Sequence, residues 1–314
     1  MNLCLVEHVD GAATDASLQA LTLAAGLGGE THALVIGPGG AEAATTIPAA
    51  VVHVAEHDAL DAFAPDAWAA ILCATAGRVG ATAIVAPGSA RATDAMARAA
   101  VRLGEPLAAN CISATPGDPF LLTRIRWGGS LLEEAQLHTG CALLTVVPHA
   151  VPAMAPGSPG AVEPFTPELA DADLVVRVRE RVAPPAGGVS LTDAKVVVTG
   201  GRGVGSAEGF AVVEELAGLL GGAVGCSRAV TMSGWRPHTD QVGQTGNKIA
   251  PEIYIACGVS GATQHIAGAK GAKRILAVNT DPEAPIMSVA DYAVVGDLHE
   301  VLPAISAELR RRRG

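Results

Sequence analysis

The sequence has few aromatic residues and few charged ones. Its 314 residues include three Trp, two Tyr and four Phe, and Asp, Glu, Lys and Arg together make up 17%, against roughly 25% in typical soluble domains. So few rings argue against a surface on which nucleic-acid bases stack. The formal net charge of −10 argues against nucleic acid as a partner too, because binding to phosphates needs basic surfaces.

Long hydrophobic runs, paired cysteines and a basic leader are also missing. No apolar stretch approaches the roughly 18–20 residues that a membrane helix needs, so we do not expect the chain to be membrane-embedded. The six cysteines are scattered without a CxxC pair, which predicts buried single side chains rather than a disulfide framework. The chain opens directly into a strand-like run, so we expect no targeting peptide. These features predict a cytoplasmic protein.

Apolar residues are plentiful, and their pattern indicates the fold. They make up 49% of the chain and alternate between strand-like and helix-like runs, which predicts an α/β fold with mostly parallel sheets. The length suggests two domains, and Pro184-Pro185-Ala186-Gly187-Gly188 indicates a linker. We therefore expect two Rossmann-like three-layer domains, spanning 1–186 and 187–314.

Local signals predict where several elements begin and end. Ser17, Ser206 and Ser260 are predicted to cap the N-termini of helices, and Gly80 is predicted to end the helix before it. The apolar run Leu174–Val182 follows a segment with five prolines between 151 and 168. We expect this run to return to the first sheet as an edge strand.

Two short motifs suggest chemistry, and each has an ordinary alternative. His53-Val54-Ala55-Glu56-His57 matches the HxxEH pattern of zinc peptidases. That pattern needs a helix, and here it leaves a Val-rich strand, so no metal site is expected. Gly201–Ser206 follows a strand and resembles the dinucleotide fingerprint. It leaves open a free-standing NAD-dependent dehydrogenase or an ordinary strand-to-helix turn. The expected fold of the first domain leaves open a third alternative, an adenine-nucleotide-binding module without redox chemistry.

Three polar segments follow predicted strands in the second half of the chain. They are Gln241–Gly246, Gly258–His265 and the segment that begins at Asn279. Their side chains are amides, hydroxyls and an imidazole, which offer hydrogen bonds that a filler loop does not need. In open α/β sheets, ligands bind at the carboxyl ends of the strands. We therefore expect the three segments to form one binding site.

These segments resemble the α subunit of electron transfer flavoproteins. The resemblance is dense over about 195–305, where Cys226–Arg228, the segments above and Asp281–Ile286 follow the family pattern in order. It is looser over the first domain. It implies an αβ heterodimer in which the second domain holds one FAD and the first contacts the β subunit. The β subunit closes over the FAD and itself holds AMP or a second FAD.

The resemblance also implies a function and a set of cofactor contacts. The chain would be an electron carrier rather than an enzyme, taking electrons from flavoprotein dehydrogenases and passing them to an acceptor such as a membrane quinone reductase. In this family Lys follows Gln-Thr-Gly, whereas here Asn247 intervenes and Lys248 comes next, which leaves the role of Lys248 open. The implied FAD-binding residues are Arg202, Ser227, Arg228, Val242, Gly243, Gln244, Thr245, Ser260, Gly261, Ala262, Thr263, Gln264, His265, Asn279, Asp297 and Leu298.

Five of these residues carry specific expectations. The resemblance places Thr245 at flavin N5, Arg228 and His265 near the isoalloxazine ring, and Asn279 and Asp297 on the adenosine side. Reduction of a flavin adds negative charge to the ring. A guanidinium about 5 Å away at an effective dielectric of about 20 contributes roughly 3 kcal/mol, or about 140 mV for one electron. We therefore expect Arg228 to raise the first reduction potential.

Overall fold

The computed structural model describes residues 1–127, 131–180 and 189–313. Contacts between residues divide the chain into two units, Met1–Arg181 and Val182–Gly314. The expected boundary between 186 and 187 falls in 181–188, outside the described residues. The last two residues of the run Leu174–Val182 lie outside them as well. In the described part of the chain, no helix combines the length and the hydropathy needed to cross a membrane.

The first unit contains eleven strands and four α-helices among its described residues. Parallel strands are joined by helices in its first half, and an antiparallel hairpin follows. In chain order the elements are β1 (Asn2–Val6), β2 (His8–Val9), β3 (Ala12–Ala13), α1 (Asp15–Gly26), β4 (Thr31–Ile36), α2 (Gly40–Ala44), β5 (Val51–Ala55), α3 (Pro65–Val79), β6 (Ala83–Pro87), α4 (Ala90–Leu103), β7 (Leu107–Thr115), β8 (Phe120–Arg126), β9 (Leu131–Leu137), β10 (Ala142–Val146) and β11 (Ala161–Phe165).

Nine of these strands form one sheet in the order β11-β5-β4-β1-β6-β10-β7-β8-β9. The strands from β11 to β7 pair in parallel, and β8 and β9 extend the sheet as an antiparallel hairpin. Alternate residues of β1 point to opposite faces, so Cys4 and Val6 join one buried cluster and Leu3 and Leu5 the other. Both faces are covered, which explains why these strands are continuous apolar runs.

The second unit is a smaller sheet of the same kind. Over residues 189–313, five strands lie in the order β13-β12-β14-β15-β16, and every pair is parallel. Two buried clusters again occupy the two faces of the sheet, so the predicted α/β class is confirmed in both units. The elements are β12 (Val196–Gly200), α5 (Ala211–Leu220), β13 (Ala223–Cys226), α6 (Arg228–Met232), β14 (Ile253–Cys257), α7 (Thr263–Ala269), β15 (Ile275–Asn279), α8 (Pro285–Val289), β16 (Tyr292–Val295) and α9 (Leu298–Arg313).

The predicted helix ends are partly right. Gly80 ends α3 in the left-handed conformation, as expected. The three predicted serine caps are wrong. Thr14 caps α1 by accepting a hydrogen bond from Ser17 N, and Ser17 lies inside the helix, where its hydroxyl bonds the backbone of Glu7. Ser206 accepts a hydrogen bond from Gly209 N in a 3-10 turn that precedes α5, and α7 begins at Thr263, beyond Ser260.

The predicted edge strand is also wrong. Residues 171–174 form a 3-10 turn, and Val178 N donates to the Phe63 carbonyl in a segment without strand pairing. One edge of the sheet is β11, a strand within the proline-rich segment that pairs with β5. Pro164 fits there because an edge strand tolerates a residue without an N–H. The strand was not predicted because the prolines around it were interpreted as breaking regular structure.

Candidate functional site

A cavity of about 520 Å³ lies at the carboxyl ends of β12, β13, β14 and β15. This volume is in the usual range for small-molecule sites. Four separate loops reach it, because parallel strands end at the same edge of a sheet. The three polar segments singled out in the sequence all contribute side chains or backbone to its lining, so the structure brings them together as expected.

Most of the predicted cofactor contacts line this cavity. Gly261, Thr263, Asp297 and Leu298 do not, and Leu298 is instead buried in the core of its unit. Asp297 accepts a hydrogen bond from His299 N at the start of α9. Twelve predicted residues are in the lining: Arg202, Ser227, Arg228, Val242, Gly243, Gln244, Thr245, Ser260, Ala262, Gln264, His265 and Asn279.

Sequence reasoning missed some residues of the lining. Gln241 is the most informative of them, because its polar side chain is only 2% exposed. It opens the same polar loop as Val242 and Gly243, so its position in that loop was the available signal. The other residues that were missed are Gly203, Ala229, Gly258, Val259, Asp281 and Ala284.

The glycines after β12 bring two loops together. Gly201 N donates to the Cys257 carbonyl at 2.8 Å, and Gly203 N donates to the Gly258 carbonyl at 3.1 Å. A Cβ atom at Gly201 would collide with Gly258, whose own φ of +61° favours glycine. Both N–H groups are used by the protein. This turn therefore does not offer them to a pyrophosphate, as a dinucleotide fingerprint would.

The loop that contains Thr245 is closed by its own backbone and by Asn247. Asn247 N donates to the Gln241 carbonyl at 2.7 Å, and Asn247 Nδ2 donates to the Thr239 carbonyl at 2.6 Å. Asn247, which occupies the position of the family's lysine, thus ties the two ends of the loop together. Lys248 is exposed and outside the cavity lining.

Helix α7 packs against this loop without room for a side chain. A Cβ atom at Gly268 would collide with the backbone nitrogen of Gly243. Gln244 N also donates to the Gln264 carbonyl at 2.7 Å. The loop therefore depends on a glycine in the facing helix for its position.

Two guanidinium groups give the cavity its positive charge. Arg202 and Arg228 both line it and are exposed. Within the described residues, neither has a carboxylate within ion-pair distance. Asp281 is the acidic residue of the lining. The cavity can therefore take an anionic ligand without first breaking an ion pair.

His265 contributes polarity but no charge. Its side chain is buried, and Nε2 lies 2.6 Å from the hydroxyl of the fully buried Tyr254. Burial lowers the pKa of His265 to about 4, although the Val242 backbone acts in the opposite direction. Burial also raises the pKa of Tyr254, so the phenol stays protonated and shares a hydrogen bond with Nε2. His265 is neutral near pH 7.

Comparison with known proteins gives matches over both units. A family model described as "Electron transfer flavoprotein domain" matches residues 2–172, and one described as "Electron transfer flavoprotein FAD-binding domain" matches residues 190–270. The electron transfer flavoprotein subunit alpha of Mycobacterium leprae is 39% identical over 319 residues, which cover 99% of both chains. The Mycobacterium tuberculosis protein of the same name is 40% identical over 320 residues, again 99% of both chains. The Bacillus subtilis one is 35% identical over 263 residues, 83% of this chain and 80% of the relative.

Proposed function

Because this chain belongs to the family of electron transfer flavoprotein α subunits, we propose that it holds FAD in the cavity of its second unit and carries electrons on that flavin. The family is one of electron transfer proteins that pair with a β subunit, and the matched domain is its FAD-binding domain. The observation that carries the proposal is the cavity itself. Twelve residues implied by the family pattern meet there from four loops.

The residues present fit an extended, anionic, aromatic cofactor. The guanidinium groups of Arg202 and Arg228, which form no ion pair within the described ranges, suit its phosphates or its reduced ring. Val242 and Ala262 offer apolar surface, and the Thr245 hydroxyl offers a hydrogen bond. His265 Nδ1 is buried without a hydrogen-bond partner of normal geometry among the described residues, and a buried polar atom of this kind favours a ligand that satisfies it.

FAD, when bound, supplies the electron chemistry, and the protein supplies its position and electrostatics. In this proposal Arg228 places positive charge beside the ring and so favours added electrons. Thr245 donates a hydrogen bond to flavin N5. His265, which is neutral, orients the ring by hydrogen bonding rather than by charge. Gly261, Thr263 and Asp297 would contact parts of the cofactor that extend beyond this cavity, whereas the buried Leu298 lies against Gly258 of its lining.

The partners are proposed on family grounds. The β subunit would contact the first unit and close over the FAD, and it would hold AMP or a second FAD. Flavoprotein dehydrogenases would donate the electrons, and an acceptor such as a membrane quinone reductase would receive them. A free-standing NAD-dependent dehydrogenase is disfavoured, because the glycine N–H groups after β12 are already bonded to the protein.

The test is a count of cofactors in the purified αβ pair. The pair should show flavin absorption and release FAD on denaturation, with one FAD assigned to this chain. Ala262→Trp fills the cavity and should lower the FAD content at least tenfold. Ala207→Trp, an exposed position in the same unit but outside the lining, is the control and should keep the FAD. A colourless wild-type pair that takes up no FAD would refute the proposal.

A further inference from the structure

Gln241 is a buried amide whose two polar atoms are both used. Its Nε2 donates to Thr245 Oγ1 at 3.0 Å, and its Oε1 accepts from Thr231 Oγ1 at 2.8 Å. Its side chain is 2% exposed and belongs to the cavity lining. Gln241 thus links a threonine of helix α6 to Thr245, which lines the cavity.

The backbone of Gln241 is held as firmly as its side chain. It forms a parallel bridge with Cys226 at the end of β13, and its carbonyl accepts from Asn247 N at 2.7 Å. The amide group therefore has little freedom to leave Thr245. A rigidly held donor of this kind can set the direction of a hydroxyl group that would otherwise rotate.

We propose that Gln241 is a positioning residue that fixes the Thr245 hydroxyl as a hydrogen-bond donor toward the flavin. An amide N–H that donates to Oγ1 occupies one lone pair of the oxygen and cannot accept its proton. Among the described residues, Thr245 Oγ1 has no other hydrogen-bond partner. Its proton is therefore available to an acceptor in the cavity. This inference rests on the proposed function, since it takes flavin N5 as that acceptor.

The chemical consequence concerns which state of N5 the site prefers. An N5 with a free lone pair would accept a hydrogen bond from Thr245. A protonated N5 would instead point its own N–H at the Thr245 O–H, so two donors would face each other. The Gln241–Thr245 pair therefore favours electron addition without protonation at N5. Thr231 Oγ1 also lies 2.9 Å from the Arg228 carbonyl. If Thr231 donated its proton to that carbonyl, the Gln241 amide would turn over, and its oxygen would accept the Thr245 proton. Thr245 Oγ1 could then only accept a hydrogen bond from the flavin. This alternative predicts that the Gln241–Thr245 pair favours a protonated N5.

A double-mutant cycle in the FAD-loaded αβ pair tests the proposal. Gln241→Met removes the amide but keeps the length of the side chain, and Thr245→Val removes the hydroxyl. Each should weaken the first electron's uptake by up to about tenfold, which is about 59 mV for one electron. In the Thr245→Val background, Gln241→Met should add nothing, because Gln241 acts through the hydroxyl. Thr231→Val, on a different element, should show a smaller effect that also vanishes in that background.

Two further readouts separate positioning from general damage. The visible spectrum of oxidised FAD should shift in Gln241→Met as it does in Thr245→Val. Gln244→Met is the matched control, because no hydrogen bond joins its side chain to Thr245 among the described residues, and its effect should add to that of Thr245→Val. The proposal would be overturned if Gln241→Met changed the first reduction potential equally with and without the Thr245 hydroxyl. A rise of that potential in Gln241→Met or Thr245→Val would overturn it too. A wild-type pair without FAD would instead refute the proposed function.

Discussion

At the scale of single residues, the charge of the cavity comes from side chains that are exposed in this chain. Where no partner covers Arg228, its effective dielectric is nearer that of water than the value of about 20 behind the sequence-based expectation. A charge about 5 Å from the ring then contributes about 35 mV rather than about 140 mV. The surrounding salt screens this contribution further.

Arg228→Ala should therefore lower the first reduction potential by tens of millivolts, measured by potentiometry of the αβ pair. The difference from wild type should shrink as salt is added. Lys248→Ala removes an exposed cation of the adjacent segment that lies outside the lining, and it should leave the potential unchanged. An unchanged potential in Arg228→Ala would remove this residue from the proposed role.

His265 should make the protein sensitive to acid. Its ordinary pKa is about 6.5 and its folded-state value is about 4, so the unfolded chain takes up a proton first as the pH falls. Stability from this residue is complete above pH 6.5 and is lost between pH 6.5 and about 4, by about 3 kcal/mol at most.

Urea unfolding of wild type and His265→Gln at several pH values measures this loss. The variant should lose about 3 kcal/mol less than wild type between pH 7 and pH 4. His138→Gln, at an exposed position in the first unit, should follow the wild-type curve. Parallel pH curves for wild type and His265→Gln would show that burial does not hold this histidine neutral.

At the scale of elements, the site depends on close contacts between backbones. Gly268→Ala places a methyl group against the backbone of Gly243, so the loop or helix α7 must move. We expect a loss of FAD affinity of tenfold or more, measured by FAD titration of the apo αβ pair. Gly218→Ala is the matched control, because this exposed helical glycine has open space around it. It should keep the affinity and raise stability by about 0.5–1 kcal/mol.

At the scale of the whole molecule, each unit has its own buried clusters. Leu143 belongs to a cluster of the first unit and Leu216 to one of the second, and both are fully buried. Leu143→Ala and Leu216→Ala should each cost about 2–5 kcal/mol. Hydrogen exchange followed by mass spectrometry should show the lost protection in the unit that carries the substitution. Equal losses in both units for either variant would show that the two cores are energetically one.

Much of the architecture could be predicted because its signals are local. Helix α3 begins at Pro65 and ends at a left-handed Gly80, and both residues act through their own backbone torsions. The apolar strands of both sheets were likewise found from their composition. The serine caps failed because a hydroxyl can bond several backbone groups. For Ser17 the residue after β1 competes, since its hydroxyl bonds the backbone of Glu7 instead of capping α1.

The candidate site shows the same division. Its polar segments could be predicted, since parallel strands deliver their ends to one edge. Gln241 could not be distinguished from its neighbours, because its importance lies in contacts with Thr231 and Thr245. Nor could the burial of His265 against Tyr254 be read from a helical pattern. Hydrogen-bond partners distant in the sequence leave no local mark.

The sequence by itself determined the two α/β units, the strands of their sheets and the segments that meet at the ligand edge. These follow from periodicity, turn residues and strand direction, which act over a few residues. Only the tertiary structure decided which strand closes the first sheet, which hydroxyls cap helices and which amide holds Thr245. These features depend on the relative energies of competing long-range contacts. Which contact forms depends on the groups that the folded chain brings within a few ångströms of each other.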